Sequence, residues 1–231
     1  SAFINPTTAF VGDRINIIGK GFANNEPGIT ITYDGQVIEN ILVADSNGNW
    51  VSSLEVPADL NGTHTLNAYG SITTSLNCAG TTLTIKARIV LSPDGGNVGD
   101  TVTVSGSGFN GQRPLAITYG NSPIVSGIST DTRGSFSSSF KAPGGRSGQI
   151  NVDASDESGV KTTAVFSMET TPPPVPQLFY PKNGETVGLI GSSQVDFEWT
   201  RVFDPSGVYY TLEVSLQPSF PTTLVRIKDL T

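Results

Sequence analysis

Residues 11–22 read VGDRINIIGKGF, and residues 98–109 read VGDTVTVSGSGF. In both stretches a Gly-Asp pair is followed by alternating apolar and polar residues and then by Gly-x-Gly-Phe. Such alternation predicts a strand with one buried face. The two stretches begin 87 residues apart, which indicates that the chain contains a duplicated unit.

The duplication continues beyond these stretches with an offset of 86 after a one-residue slip. The corresponding pairs include Tyr33 and Tyr119, Asp45 and Asp131, Gly48 and Gly134, Pro57 and Pro143, and Ala68 and Ala154. Apolar residues keep a period of two within each copy, and Trp50 and Phe136 are predicted to occupy equivalent core positions. About seven short strands per copy, separated by Gly, Pro and Asn turns, are typical of an immunoglobulin-like sandwich.

The composition favours an all-β protein and makes several partners improbable. The 231 residues include 26 Gly and 15 Pro, and only 14% are charged. The net charge of −7, without a basic cluster, argues against nucleic acid as a partner. Because no apolar run is long enough to span a bilayer, we expect no membrane contact by this segment. Cys78 is the single cysteine and is expected in a loop, within an insertion between Ala68 and Leu83.

The repeated motifs resemble a known class of module. VGDRINIIGKGF and VGDTVTVSGSGF are similar to the opening of IPT/TIG and related bacterial immunoglobulin-like modules, and the similarity extends over residues 3–168. This resemblance implies a β-sandwich fold and an extracellular or cell-surface setting. The families carry no catalytic residues that could be transferred to this chain.

The remaining sequence departs from the repeat. Residues 171–177 read TPPPVPQ and predict a stiff linker of polyproline II conformation. Residues 178–231 resemble the start of a fibronectin type III-like module, with strands predicted over 195–199 and 210–216. The predicted domains are therefore residues 1–86, 87–170 and 178–231, and the linker lies between the last two. Because at most four strands are expected in the last module, we expect an exposed apolar face and self-association through residues 178–231.

Asp45–Trp50, with the sequence DSNGNW, is a candidate calcium loop because oxygen-bearing side chains alternate along it. The EF-hand arrangement requires Gly at position 6 and Glu at position 12, where this chain has Trp50 and Val56. The second copy has Arg133 at the second ligand position. The stretch is therefore interpreted as a hairpin turn in which Asp45 caps backbone N–H groups.

Other candidate sites have structural interpretations that we favour. Gly106, Gly108 and Gly111 spell the dinucleotide-binding fingerprint, but a proline and a strand follow where the fingerprint needs a helix. His64 is the single histidine and is predicted to lie at the rim of the core rather than in a catalytic triad.

Aromatic and glycosylation signals receive similar interpretations. Trp50 and Trp199 are in phase with buried strand faces, so that core packing is preferred to sugar stacking. The other exposed candidates, Tyr69, Tyr180 and Tyr209, are scattered along the chain. The Asn61-Gly62-Thr63 sequon is interpreted as a turn.

These observations predict a non-enzymatic structural or adhesive fragment of a secreted or cell-surface protein, with no catalytic, cofactor-binding or metal-ligating residue. Its expected partners are other domains of the same polypeptide and a cell-wall or extracellular protein or glycan. One alternative is an ancillary, carbohydrate-binding module of a secreted polysaccharide-degrading enzyme. Another is a calcium-linked adhesin.

Overall fold

A computed structural model describes residues 1–74, 78–144, 147–169, 171–188, 194–205 and 207–231. Every regular element among these residues is a β-strand, which confirms the all-β prediction. No helix long and apolar enough to cross a membrane occurs in the described ranges. The chain divides into two compact units, one of residues 1–94, 101–140 and 149–166, and one of residues 95–100, 141–148 and 167–231.

The first repeat is a sandwich of two sheets. Its strands are β1 (Ala2–Asn5), β2 (Thr8–Ala9), β3 (Arg14–Gly19), β4 (Ile29–Tyr33), β5 (Gln36–Leu42), β6 (Trp50–Glu55), β7 (Gly62–Tyr69) and β8 (Thr81–Ile85). One sheet has the order β1-β3-β6 and the other the order β2-β8-β7-β4-β5. All pairs are antiparallel except β2 with β8.

The second repeat has the same strand order. Its strands are β9 (Arg88–Ser92), β10 (Gly95–Gly96), β11 (Thr101–Ser107), β12 (Pro114–Tyr119), β13 (Ser122–Ser129), β14 (Phe136–Lys141), β15 (Gly148–Asp156) and β16 (Lys161–Met168). The sheets have the orders β14-β11-β9 and β10-β16-β15-β12-β13. Each strand therefore has a counterpart in the first repeat, as the sequence duplication predicts. The exact domain boundaries proposed above stay a prediction.

The residues with period two form the buried faces. In β3, Ile15 and Ile17 are buried while Arg14 and Asn16 are exposed. In the second repeat Val102 and Val104 are buried at the corresponding positions of β11. Among the described residues, the apolar side chains with less than 2% exposure are Ile15, Ile17, Ile29, Ile31, Val56, Leu66, Ala68, Leu83, Ile85, Val102, Val104, Phe109, Ile117, Val152, Ala154 and Phe166.

The Gly-x-Gly-Phe segment of the first repeat packs directly against the start of β6. A Cβ atom on Gly19 would lie 2.0 Å from the Trp50 indole, so only glycine leaves room for the ring. Gly21 has a positive φ of 74°, which turns the chain so that Phe22 reaches Trp50 at a ring distance of 5.5 Å. The Phe22 N–H donates to the Gly48 carbonyl at 3.0 Å. The two motifs of the repeat thus form one packing unit.

The second repeat contains the same unit. A Cβ on Gly106 would lie 2.1 Å from the Phe136 ring, and Phe109 meets Phe136 at 5.5 Å. The Phe109 N–H donates to the Gly134 carbonyl at 3.1 Å. Trp50 and Phe136 are therefore equivalent, as predicted, although Trp50 is buried and Phe136 is half-buried.

The interpretation of Asp45–Trp50 as a hairpin is wrong in one respect. The stretch does form a turn, but the strands on either side belong to different sheets, because β5 pairs with β4 and β6 pairs with β3. The turn therefore carries the chain across the sandwich. Turn chemistry sets the local backbone conformation and does not determine which strand the following segment joins.

Residues 178–231 contain four described strands in two separate two-stranded sheets. These are β17 (Leu178–Tyr180) with β18 (Glu198–Trp199), and β19 (Tyr210–Val214) with β20 (Val225–Leu230). The predicted strand over 195–199 is reduced to its last two residues, and Val195 is 38% exposed. Trp199 is half-buried against Tyr210 at 5.5 Å, so the prediction of a core tryptophan is only partly met.

Many large apolar side chains of this segment are exposed. They are Leu178, Phe179, Val195, Phe203, Tyr209, Leu216, Phe220, Leu224, Val225 and Ile227. An exposed apolar surface of this kind is a site for association. Self-association through residues 178–231 stays a proposal.

Substitution of Gly19 by Ala tests the packing unit. The new methyl group would overlap the Trp50 ring, so the free energy of unfolding should fall by about 1–3 kcal/mol. Gly106→Ala should act in the same way on Phe136. Urea unfolding monitored by tryptophan fluorescence and circular dichroism measures the effect. Gly144→Ala is the matched control, because its nearest neighbour would lie at an ordinary 3.7 Å; equal losses for all three variants would contradict this account.

Candidate functional site

The Asp45 turn is held by its own backbone. Asp45 Oδ1 accepts hydrogen bonds from the N–H groups of Asn47 and Asn49, both at 2.8 Å. These N–H groups lower the pKa of Asp45, that of Asn49 most strongly. Asp131 makes the corresponding contacts to Arg133 and Ser135 at 2.8 Å. The capping role is confirmed, and the absence of calcium binding stays a prediction.

The glycines of the apparent dinucleotide fingerprint have structural roles. Gly106 leaves space for Phe136, and Gly108 has a positive φ of 70° with the Lys86 carbonyl 2.6 Å from the position of a Cβ. A Cβ on Gly111 would lie 2.8 Å from the Thr132 carbonyl and 3.1 Å from the Leu60 side chain. The segment continues into strand β12 instead of a helix. The arrangement lacks the helix N-terminus on which the fingerprint depends.

A histidine and two carboxylates meet at one end of the first repeat. Asp34 lies in the turn between β4 and β5 with a φ of 46°, and Gly35 follows with a φ of 81°. Asp59 lies in the segment between β6 and β7, and His64 lies in β7. One ligand atom from each of the three side chains lies within 4.8 Å of the others. They are the residues of the described chain that are best placed to hold a metal ion.

Both ring nitrogens of His64 are engaged. Nδ1 lies 2.7 Å from Asp34 Oδ2 and 3.7 Å from Asp59 Oδ2, and Nε2 lies 2.9 Å from the Leu60 carbonyl oxygen. Since the Leu60 carbonyl only accepts, Nε2 carries a proton that it donates to that oxygen. His64 is 8% exposed, which agrees with the predicted position at the rim of the core.

The electrostatics of this cluster are those of an ion pair between a buried histidine and partly exposed carboxylates. Burial alone would lower the pKa of His64, but the hydrogen bond with Asp34, the Leu60 carbonyl and the charge of Asp59 outweigh it and raise the pKa. Burial would raise the pKa of Asp34, but the Thr65 N–H and His64 lower it. Burial and the negative charges of Asp59 and Asp34 raise the pKa of Tyr33, whose ring stacks on His64 at 5.2 Å.

Sequence reasoning did not identify Asp34 or Asp59. The residues of the cluster come from two loops and one strand, and their spacing matches no metal or catalytic motif. The Asp34-Gly35 pair signals a hairpin turn, and the structure forms that turn. No signal in the sequence shows that this turn lies beside His64.

A second buried carboxylate, Glu26, holds a loop in place. Its oxygens accept hydrogen bonds from the N–H groups of Ala23, Ile72 and Thr73 and from the Thr73 hydroxyl, at 2.6–3.0 Å. Burial would raise the pKa of Glu26, but these hydrogen bonds outweigh it and lower the pKa. A Cβ on Gly70 would lie 2.2 Å from the Glu26 carboxylate. Glu26 therefore occupies the space that a side chain at position 70 would need.

In the second repeat the carboxylate stands at the position that corresponds to Gly70, not at the position that corresponds to Glu26. The counterpart of Gly70 is Asp156, which accepts hydrogen bonds from the N–H groups of Asn110, Ser158 and Val160 at 2.9–3.2 Å. The counterpart of Glu26 is the exposed Arg113. Asn110 corresponds to Ala23, so that the same backbone N–H receives a carboxylate in both repeats. The role of these acids is structural.

Replacing Glu26 by Gln tests this role. The amide NH2 group would face N–H donors, so the free energy of unfolding at neutral pH should fall by about 1–3 kcal/mol. Because the pKa of Glu26 is lowered in the folded state, its contribution is present above about pH 4.5 and is lost as the pH falls through the folded pKa. The difference between wild type and Glu26→Gln should therefore shrink in acid. Glu157→Gln, at an exposed position, is the control; a difference that does not change with pH would contradict the assignment.

A groove of about 310 Å³ lies in the second compact unit. Its lining residues are Pro173, Pro174, Pro176, Leu178, Trp199, Val202, Val208, Tyr209, Tyr210, Thr211 and Leu212. The proline linker is tied to the residue that follows β18, since the Gln177 N–H donates to the Thr200 hydroxyl at 2.6 Å. Of the tyrosines considered above, Tyr209 lines the groove and is 73% exposed.

Comparison with protein families identifies the first repeat. Residues 3–77 match the IPT/TIG domain family. The first repeat is thus similar to an IPT/TIG domain, and the two repeats are immunoglobulin-like sandwiches with the same strand order. No curated protein matches the chain.

Several solved structures have a similar architecture. The Yersinia pseudotuberculosis adhesin InvE is 15% identical with a TM-score of 0.34, and the match covers 75% of this chain and 60% of InvE. A tetra-tandem repeat from the extending region of a large adhesion protein is 15% identical with a TM-score of 0.36, covering 77% of this chain and 50% of that one.

A third similar structure is the Bacteroides ovatus SGBP-B of a mixed-linkage glucan utilization locus, in complex with a heptasaccharide. It is 14% identical with a TM-score of 0.35, and the match covers 71% of this chain and 43% of SGBP-B. The chain therefore spans about half the length of these structures. TM-scores of this size do not identify a shared function.

Proposed function

We propose that this chain is a non-enzymatic, rigid spacer and interaction segment of a secreted or cell-surface protein. The observation that carries the proposal is the junction between the two repeats, which lies within the first compact unit. Only Lys86 and Ala87 separate β8 from β9, and Ala87 is buried. A connection this short leaves little freedom for the two sandwiches to reorient.

Leu60 and Asn61 close one side of the junction. The Asn61 N–H donates to the Phe109 carbonyl at 3.1 Å, and the Asn61 side chain donates to the Ile85 carbonyl at 3.3 Å. Leu60 lies where a Cβ on Gly111 would be 3.1 Å away. Asn24 stands at the counterpart of Gly111 in the first repeat. Gly111 is thus found in the repeat that packs against Leu60, and the other repeat has Asn24 at this position.

Arg88 closes the other side. Its guanidinium donates to Asp13 Oδ1 at 3.1 Å and to the Val11 carbonyl at 2.8 Å, and it lies 5.0 Å from the centre of the Phe10 ring. These three contacts restrain one planar group. Because Arg88 is the first residue of β9, they connect the second repeat to the opening motif of the first. A rod segment of this kind would hold an attached domain away from the envelope.

Distance measurements between the repeats test the proposal. Spin labels on exposed positions 53 and 137, in a Cys78→Ser background, should give one narrow distance distribution by pulsed electron paramagnetic resonance. Insertion of three glycines between Lys86 and Ala87 should broaden it strongly, and Arg88→Ala should broaden it partly. Arg133→Ala, at an exposed position, is the control. A wild-type distribution as broad as that of the insertion variant would refute a rigid spacer.

The groove beside Trp199 favours a second candidate, an ancillary carbohydrate-binding module. Trp199, Tyr209 and Tyr210 offer aromatic surface in one concave site. Affinity electrophoresis in gels that contain soluble polysaccharides separates the two candidates. The spacer proposal expects unretarded migration. Retardation that Trp199→Ala abolishes, and that Phe203→Ala at an exposed position outside the groove leaves intact, would support the binding module instead.

A further inference from the structure

The side chains of Asp34, Asp59 and His64 are each held in place by a backbone hydrogen bond, as the side chains of a preformed metal site are. Each carboxylate has one oxygen fixed by a backbone N–H group: Asp34 Oδ1 accepts from Thr65 at 2.7 Å, and Asp59 Oδ1 accepts from Leu60 at 2.8 Å. The other oxygen of each carboxylate, Oδ2, lies on the side of His64 Nδ1, at 2.7 and 3.7 Å. Backbone contacts therefore direct both free oxygens to one nitrogen.

His64 is oriented in the same manner. Its Nε2–H donates to the Leu60 carbonyl at 2.9 Å, which leaves Nδ1 as the nitrogen that faces the carboxylates. Histidine ligands in metal sites commonly donate their second N–H to a backbone carbonyl, because this fixes the ring and its tautomer. All three side chains thus have an outer contact that holds the inner atom in place.

The distances suit a small divalent cation. Zinc binds histidine nitrogen and carboxylate oxygen at about 2.0–2.2 Å, so neighbouring ligand atoms in a tetrahedral site are separated by about 3.3–3.5 Å. The two measured separations from Nδ1 lie on either side of this range, and all three ligand atoms lie within 4.8 Å of one another. Side-chain rotations that move the carboxylate oxygens by less than about one ångström would bring both separations into this range.

Charge and access also suit a cation. Two carboxylates and a neutral imidazole carry a charge of −2, which a divalent ion balances. The Asp34 and Asp59 side chains are 43% and 32% exposed, whereas the His64 side chain is 10% exposed, so that an ion can enter from the carboxylate side. Three protein ligands leave a fourth position for water or another ligand.

The Tyr33 hydroxyl is a buried polar group beside the cluster. Tyr33 is 6% exposed and stacks on His64, and its hydroxyl has no hydrogen-bond partner within normal distance in the described structure. An unsatisfied buried hydroxyl costs free energy and calls for an explanation. A water on the open position of an ion beside His64 would offer a polar partner near this hydroxyl, although the counterpart Tyr119, with Ile150 in place of His64, also has an unpaired hydroxyl without such a cluster.

We propose that Asp34, Asp59 and His64 form a zinc-binding site at the end of the first repeat, with one coordination position open. The site lies next to the junction, since Leu60 and Asn61 follow Asp59 and contact the second repeat. Binding replaces the proton on Nδ1 with the metal ion. About one proton should be released per ion when the imidazole is protonated beforehand.

Isothermal titration of the intact chain with zinc chloride tests the proposal. We expect saturable binding of one ion, with proton release detected as a dependence of the heat on the ionisation enthalpy of the buffer. Asp59→Asn and His64→Gln should each weaken binding at least tenfold, because each removes a ligand. Asp45→Asn and Cys78→Ser should bind as the wild type does, because neither residue belongs to the site. Binding that survives His64→Gln, or that Cys78→Ser abolishes, would overturn the proposal.

Because substitution of the buried His64 can unfold the protein, a second test uses the wild-type chain. His64 is the single histidine, so its ring nitrogens are the sole imidazole signals in a 15N-labelled sample. Saturating zinc should move the Nδ1 resonance from that of a protonated nitrogen to that of a metal-bound one and leave Nε2 protonated. Ring signals unchanged by excess zinc would show that the cluster is an ion pair alone.

Discussion

In each repeat an aromatic ring packed on a glycine joins two neighbouring strands of the three-stranded sheet. In the first repeat the Trp50 indole covers Gly19, and in the second the Phe136 ring covers Gly106. The contact connects the end of one strand with the start of another that is about 30 residues away in the chain. The neighbouring Phe22 and Phe109 add an edge-on ring and a backbone hydrogen bond. The position of the crossing turn, and with it the start of β6 and β14, depends on this contact.

The core was readable from the sequence because buried faces leave a period of two. Ile15, Ile17, Val102 and Val104 are buried as that period predicts. The Asp45 turn was correctly predicted to cap its own backbone, but its change of sheet was not, because pairing is decided by residues far away in sequence. Val195 alternates correctly and is nevertheless outside any strand, since a strand also needs a partner.

The Asp34, Asp59 and His64 cluster marks the limit of sequence reasoning in another way. Each of its residues has an ordinary local explanation, as a turn, a loop or a strand residue. Their proximity results from the pairing of β4 with β5 and with β7, which brings residue 34 beside residue 65. At Gly111 the sequence shows an unusual residue but not its structural cause. It was recognisable as a departure from the repeat, and the space beside it is limited by the Thr132 carbonyl of its own turn and by Leu60 of the neighbouring sandwich.

The two buried carboxylates have a consequence for how the gene can change. Glu26 and Asp156 serve the same backbone N–H from different positions, with Gly70 and Arg113 at the alternative positions. Recombination between the two copies, with a crossover between these positions, would produce one hybrid with both acids and one with neither. The first would bury two negative charges together, and the second would leave N–H groups without an acceptor. Selection against such hybrids would keep the copies distinct, so that the duplication is protected from being homogenised or deleted by exchange within this region.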